Sequence, residues 1–182
     1  VSQNEICYIT VGDTKLMAEV IKVNGKNAAV QVFESTRGLK NGDTVEFVDK
    51  MLEATLGPGL LSSSYDGLQN DLTTMTGVFL KKGEYTNPLD HEKIWDFTPL
   101  AKPGDKVVAA DWLGEVKEGW LPHKIMVPFS FKGEYTVKTV APAGQYNIDK
   151  VIAVLTNAEG EDVEVTMWQK WPVKVAIKGY KD

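Results

Sequence analysis

This 182-residue chain predicts a mainly β fold: a small N-terminal antiparallel β-barrel joined to a second β-rich unit. Three observations carry that reading. Apolar residues gather in short runs of strand length: EICYITV, MAEVIKVNG, AAVQVFEST, DTVEFVD, KVVAADWLGEV, HKIMVPF, GEYTVKTVA, DKVIAVLT and DVEVTMW. Turn signals separate them, at Gly12-Asp13, Asn24-Gly25, Asn41-Gly42-Asp43, Pro103-Gly104-Asp105, Lys132-Gly133, Ala143-Gly144 and Glu159-Gly160. No stretch keeps the 3.6-residue apolar period of a long amphipathic helix.

Taken in order, residues 1–50 supply the barrel. Asn24-Gly25 between two β-rich runs predicts a tight hairpin, because its left-handed turn positions suit Asn and Gly. Cys7, between Ile6 and Tyr8, reads as a small buried strand residue. Residues 51–76 are irregular and contain LGPGLLSSSYDGLQ, in which Gly57, Pro58 and Gly59 punctuate the backbone, three serines offer competing hydroxyls, and Asp66-Gly67 reads as a turn. Residues 77–100 read as irregular with aromatic anchors at Phe79, Trp95 and Phe97. The unit spanning 77–182 holds the remaining strands, over residues 101–170.

Composition excludes several classes of function. A net charge of −5 and a single arginine, Arg37, argue against nucleic-acid binding, which needs clustered cations. No apolar run approaches the roughly 18–20 residues that span a bilayer, so direct membrane insertion is not expected. The opening VSQNEICYITVGD shows neither an initiator methionine nor a leader pattern, which suggests a chain trimmed at its front. One cysteine and two histidines give too few ligands for a structural zinc site, and a catalytic thiol has only His91 and His123 as possible bases. No G-x-x-x-x-G-K-[ST] phosphate loop occurs; LGPGLLSSS and PAGQYNIDK both fail its spacing.

KPGDKVVAADWLGEV (102–116) is partly echoed by PAGQYNIDKVIAVL (142–155), each a small-residue turn, alternating apolar positions and an aliphatic strand. The arrangement resembles the biotinyl/lipoyl carrier barrel, built from two interlocked half-motifs. That resemblance implies a modified lysine at a hairpin tip. Lys117 in EVKEGW and Lys124 in PHKIMVP are the candidates, and neither has the flanking residues of the carrier motif.

A second resemblance covers almost the whole chain. GLKNGDTVEFVDKMLEATLGPGLLSSSYDGLQNDL (38–72), NPLDHEKIWDFTP (87–99), GDKVVAADWLGEV (104–116), PHKIMVP (122–128) and VTMWQKWPVK (165–174) resemble, in one order, the catalytic A subunit of V-type and A-type rotary ATPases. The resemblance implies that the barrel joins a crown at the top of a hexameric head with B subunits. It makes residues 51–76, with Gly57, Pro58, Gly59, Asp66 and Gly67, a crossover toward the nucleotide-binding domain, and the later unit an inserted bulge near the peripheral stator stalk. It also implies a cytoplasmic complex at the membrane periphery, moving protons or sodium. ATP and magnesium belong to the parent subunit, and no catalytic, nucleotide, cofactor or metal residue is expected in this stretch. The sequence departs from the family in carrying Ser62-Ser63-Ser64 for Gly-Ser-Ile, Asn70-Asp71 for Arg-Pro, and Lys174 and Lys178 for arginines. The family's first barrel strand is expected before Val1.

Trp112, Trp120, Phe129 and Phe131 are candidate docking anchors on the bulge, since aromatic residues dominate interface hot spots. Strand alternation places Trp112 and Phe131 in a core as readily as on a surface, whereas Trp120 follows Gly119 in a loop. Trp95, Trp168 and Trp171 are expected to pack together at the base of the unit. A lysine-modified carrier and a free-standing β-rich binding module are the competing readings.

Overall fold

The computed structural model describes residues 1–73, 83 and 85–177. Two compact units emerge. The first is built on Val1–Ala54 and takes in Pro172–Lys174; the second is built on Thr55–Thr73 and Asn87–Trp171. Phe79 and Lys178 lie outside the described residues.

In the first unit, β1 (Glu5–Val11), β2 (Thr14–Asn24), β3 (Asn27–Val32) and β4 (Val45–Met51) form an antiparallel sheet of order β3-β2-β1-β4. Cys7 pairs with Ala18 across β1 and β2, and both are fully buried beside Ile9, with Val30, Val32 and Leu39 packed around them. Burial pushes the Cys7 thiol pKa up, which suits a packing residue rather than a nucleophile. The β2–β3 hairpin forms one residue later than Asn24-Gly25 implied. Asn24 pairs with Asn27, so Gly25-Lys26 make the turn and Gly25 supplies the left-handed φ of 57°. Among the described residues β3 and β4 do not pair, so the sheet is open where a closed barrel was expected, and Val45, Phe47 and Met51 stay more than one third exposed along β4.

Three carboxylates tie this unit together. The ladder between β1 and β4 slips between Glu5 and Cys7, and the buried Glu5 accepts the backbone N–H of Ser2 at 2.7 Å and of Asp49 at 2.9 Å. Those N–H donors, Ser2 first, hold the Glu5 pKa below the ordinary range. Glu34 accepts from Gly83 N–H at 2.8 Å and from the Tyr85 hydroxyl at 2.6 Å, and the same hydroxyl accepts Met17 N–H at 3.0 Å. Lys174 reaches the buried Glu19 at 2.7 Å.

β5 (Glu53–Leu56) and β14 (Gln169–Pro172) form a two-stranded sheet. The other strands of the second unit are β6 (Trp95–Pro99), β7 (Lys106–Val107), β8 (Trp112–Glu118), β9 (Leu121–Met126), β10 (Tyr135–Val140), β11 (Gly144–Tyr146), β12 (Ala153–Thr156) and β13 (Asp162–Val165). They lie in two sheets, β11-β6-β8-β9 and β13-β12-β10-β7. The halves β6–β9 and β10–β13 are equivalent, with each strand roughly forty residues from its counterpart. Each half places its first, third and fourth strands in one sheet and lends its second to the edge of the other, so the halves interlock. The echo between 102–116 and 142–155 falls on the second and third strands of each half. It is imperfect because five positions separate Val107 from Trp112, and seven separate Tyr146 from Ala153.

Leu113, Val116, Val137, Ile152 and Leu155 fill the core between these sheets. Residues 95–99 are a strand rather than irregular chain: Trp95 and Phe97 are buried at alternate positions while Asp96 and Thr98 face out. Phe97 lies against Gly114 of the neighbouring strand, where a Cβ would stand 2.3 Å from its ring. The three tryptophans do not share one base. Trp95 is in the core and Trp168 packs against it, but Trp171 meets Phe129 edge-on at 5.8 Å and donates its indole N–H to Val175 O. Residues three apart in extended chain point to opposite sides, which separates Trp168 from Trp171. Lys117 and Lys124 both lie within strands, and the hairpin tip between β8 and β9 is Gly119-Trp120. No helix among the described residues is long and apolar enough to cross a membrane.

Candidate functional site

The glycines and proline of the LGPGLL segment are needed because this backbone runs against packed side chains. Pro58 is fully buried, and a Cβ on Gly57 would stand 2.8 Å from Trp168 Cβ and 3.0 Å from Leu89. Gly59 adopts a φ of 112°, open only to glycine at low cost, and admits a single 3-10 turn over Leu60–Ser62. Gly57→Ala is therefore expected to cost about 1–3 kcal/mol through overpacking. A urea midpoint that does not move would show that Trp168 yields freely.

Glu118, the last residue of β8, receives that turn. It shares the inward face with Val116 and is only 4% exposed. Its Oε1 accepts Leu61 N–H at 2.9 Å and the Ser62 hydroxyl at 3.3 Å, and its Oε2 meets His123 Nδ1 at 2.7 Å across the hairpin. The second half of the segment is organised by Asp66. Its carboxylate accepts Leu68 N–H at 2.9 Å and both the backbone and side-chain N–H of Asn70 at 2.8 Å. Gln69 then holds Thr55 with two hydrogen bonds of 2.7 Å, one to its N–H and one to its carbonyl. Asn70 is buried as the partner of Asp66.

Burial alone would raise the Asp66 pKa, but the Asn70 side chain and the N–H groups of Asn70 and Leu68 outweigh it and hold it below the ordinary carboxylate range. A depressed folded-state pKa stabilises the fold above the unfolded value, about 3.9, and the gain is lost as pH falls through the folded value. The stability difference between the wild type and Asp66→Asn should hold from pH 7 to 5 and shrink below about pH 4. A difference independent of pH down to acid unfolding would rule out the carboxylate as its source.

The candidate anchors divide. Trp120, second residue of the Gly119-Trp120 turn, is 85% exposed, and Trp112 is 57% exposed. The register of β8 against β9 slips between Trp112 and Gly114, and this bulge turns Trp112 outward although Gly114 faces Phe97 inside. Simple alternation could not reveal that. Phe131 is half-buried against Tyr135 and the core, and Phe129 is half-buried against Trp171. The β8–β9 hairpin thus holds the LGPGLL segment on its inner face and displays two tryptophans outside. Glu118 was not singled out from the sequence and His123 was considered only as a base for a thiol; the available signal was Glu118 falling in alternation with Val116.

Two family descriptions match this architecture in order. Residues 1–49 match the ATP synthase alpha/beta family beta-barrel domain, and residues 86–174 match the ATP synthase alpha/beta subunit barrel-sandwich domain. The chain carries N-terminal barrel domains of the ATP synthase alpha/beta family. Within that family it is 47% identical over its whole length to a V-type ATP synthase alpha chain of Treponema denticola, of which it covers 31%. It is 48% identical to those of Borrelia turicatae and Chlamydia caviae, again over its whole length, covering 32% and 31% of them. The chain spans about a third of the length of these relatives and resembles their N-terminal region.

Proposed function

We propose that this chain is the non-catalytic N-terminal portion of the catalytic alpha (A) subunit of a proton- or sodium-translocating rotary ATPase, serving crown assembly with B subunits and docking of the peripheral stalk. The observation that carries the reading is the match, over 97–100% of the chain, to V-type ATP synthase alpha chains at 45–49% identity. ATP and magnesium then act elsewhere in the parent subunit, since these 182 residues contain no phosphate-loop pattern. Calorimetry of this chain with magnesium and ATP is expected to give no binding; micromolar, magnesium-dependent binding would overturn the assignment.

Trp120 is the leading stalk anchor, because a large aromatic 85% exposed at a hairpin tip leaves most of its surface for a partner to cover. In the full-length subunit, Trp120→Ser should leave unfolding within about 0.5 kcal/mol of wild type and weaken retention of the stalk. Unchanged retention would remove Trp120 from the interface. Against the carrier reading stand Lys117 and Lys124 inside strands, and Lys124 is further committed to an ion pair with Glu115. Intact mass should show no biotin or lipoyl adduct.

A further inference from the structure

A groove of about 440 Å³ in the second unit lies beside Trp112, lined by Leu100, Asp105, Asp111 and Trp112 among others. Its lining is more polar than apolar, but two of the lining residues are exposed apolar side chains, Leu100 at 43% and Trp112 at 57%, and Val108, next to lining residue Val107 in the chain, is 37% exposed. Two aspartates give it charge. Asp105 Oδ2 caps its own turn by accepting Lys102 N–H at 2.7 Å, and Asp111 Oδ2 does the same for Val108 N–H at 2.8 Å. In each, Oδ1 has no partner among the described residues. Lys106 also lines the groove, but its ammonium is paired with Glu134 at 3.2 Å, so Asp105 and Asp111 leave the groove a negative balance.

Trp112 is already used as a cation platform on one face. Lys124 Nζ sits 4.7 Å from its ring centroid and is anchored by Glu115. Lys124 does not line the groove, and Trp112 does. The groove side is rigid: Ala110 is held at a φ of 72° by hydrogen bonds that run from Ala110 N–H to Val127 O at 3.0 Å and from Val127 N–H to Asp111 O at 2.9 Å. An indole face, two carboxylate oxygens and flanking aliphatic surface are complementary to one kind of side chain, a guanidinium on an apolar stem.

We propose that this groove binds an arginine presented by an apolar segment of a partner chain. The inference rests on the docking role proposed above and gives that partner's chemistry. Arginine fits because its planar head can stack flat on Trp112 while its N–H fork meets a carboxylate through two parallel bonds, whereas an ammonium, like that of Lys124 between this ring and Glu115, acts only as a point charge.

The probe is the peptide acetyl-Leu-Arg-Leu-amide, titrated into the isotope-labelled chain and followed by NMR. Saturable shifts are expected at the Trp112 indole and over residues 100–112. Citrulline in place of arginine, or Trp112→Leu, should weaken binding roughly tenfold or more. Asp111→Asn keeps an oxygen to cap Val108 and should still weaken binding several-fold, which separates lost charge from lost fold. Equal binding of the citrulline peptide, or no saturable shift at millimolar peptide, overturns the inference. Trp112→Leu in the full enzyme tests the other reading separately: if the peptide binds as expected yet this variant keeps its stalk, the arginine site stands and Trp112 leaves the stalk interface.

Discussion

Trp95→Ala is expected to destabilise the second unit by about 3–5 kcal/mol, the usual cost of deleting a buried indole. Trp95 is 5% exposed, sits in the core with Leu89 and Phe97, and has the Lys93 ammonium 4.3 Å from its ring centroid. Gly59 of the LGPGLL segment also approaches it, since a Cβ there would lie 3.8 Å from the ring. Truncation would therefore open a void that reaches both the sheet core and the segment laid over it. The indole N–H is buried without a hydrogen-bond partner among the described residues, so the loss should be one of packing and of the Lys93 contact, with no hydrogen bond broken. Trp95→Phe, which keeps most of the ring and removes that N–H, should cost far less. Urea unfolding separates the cases: a loss under about 1 kcal/mol for Trp95→Ala would mean that the core closes around the gap.

Strands with period-2 apolar alternation were legible in the sequence. EICYITV became β1 over Glu5–Val11 because Cys7, Ile9 and Val11 alternate onto the packed face and the turn beyond it carries Gly12. The interlocked second unit was partly legible too, through the echo of 102–116 in 142–155. What escaped depended on contacts between distant residues. β6 was hidden because WDFTP ends in proline and is too short to show more than one alternation. The outward turn of Trp112 comes from a slipped register, which leaves no mark in composition. The turn at Gly25-Lys26 was displaced by one residue because Asn24 is better used pairing with Asn27 than in the turn itself.

Glu118→Leu is expected to cost about 3 kcal/mol and to release the LGPGLL segment locally. A buried carboxylate that accepts from neighbours cannot be replaced by an apolar side chain of similar size without leaving Leu61 N–H and the Ser62 hydroxyl unpaired. His123 Nδ1 would lose its partner as well. Glu118→Gln retains an oxygen for Leu61 and Ser62, so its loss should be near 1 kcal/mol, and comparing the two isolates the acceptor from the volume. Hydrogen exchange gives the local readout: the Leu61 amide should lose its protection in Glu118→Leu, while Val116 and Ile125 in the same hairpin keep theirs. Equal protection of Leu61 in wild type and Glu118→Leu would mean that Gly57 and Pro58, packed against Trp168 and Leu89, hold the segment without the carboxylate. The expected pattern instead makes one hairpin responsible for two tasks, with Glu118 and His123 fixing the segment inside and Trp112 and Trp120 left exposed outside for the docking proposed above. A variant that frees the segment without disturbing Trp112 would show that these tasks are separable.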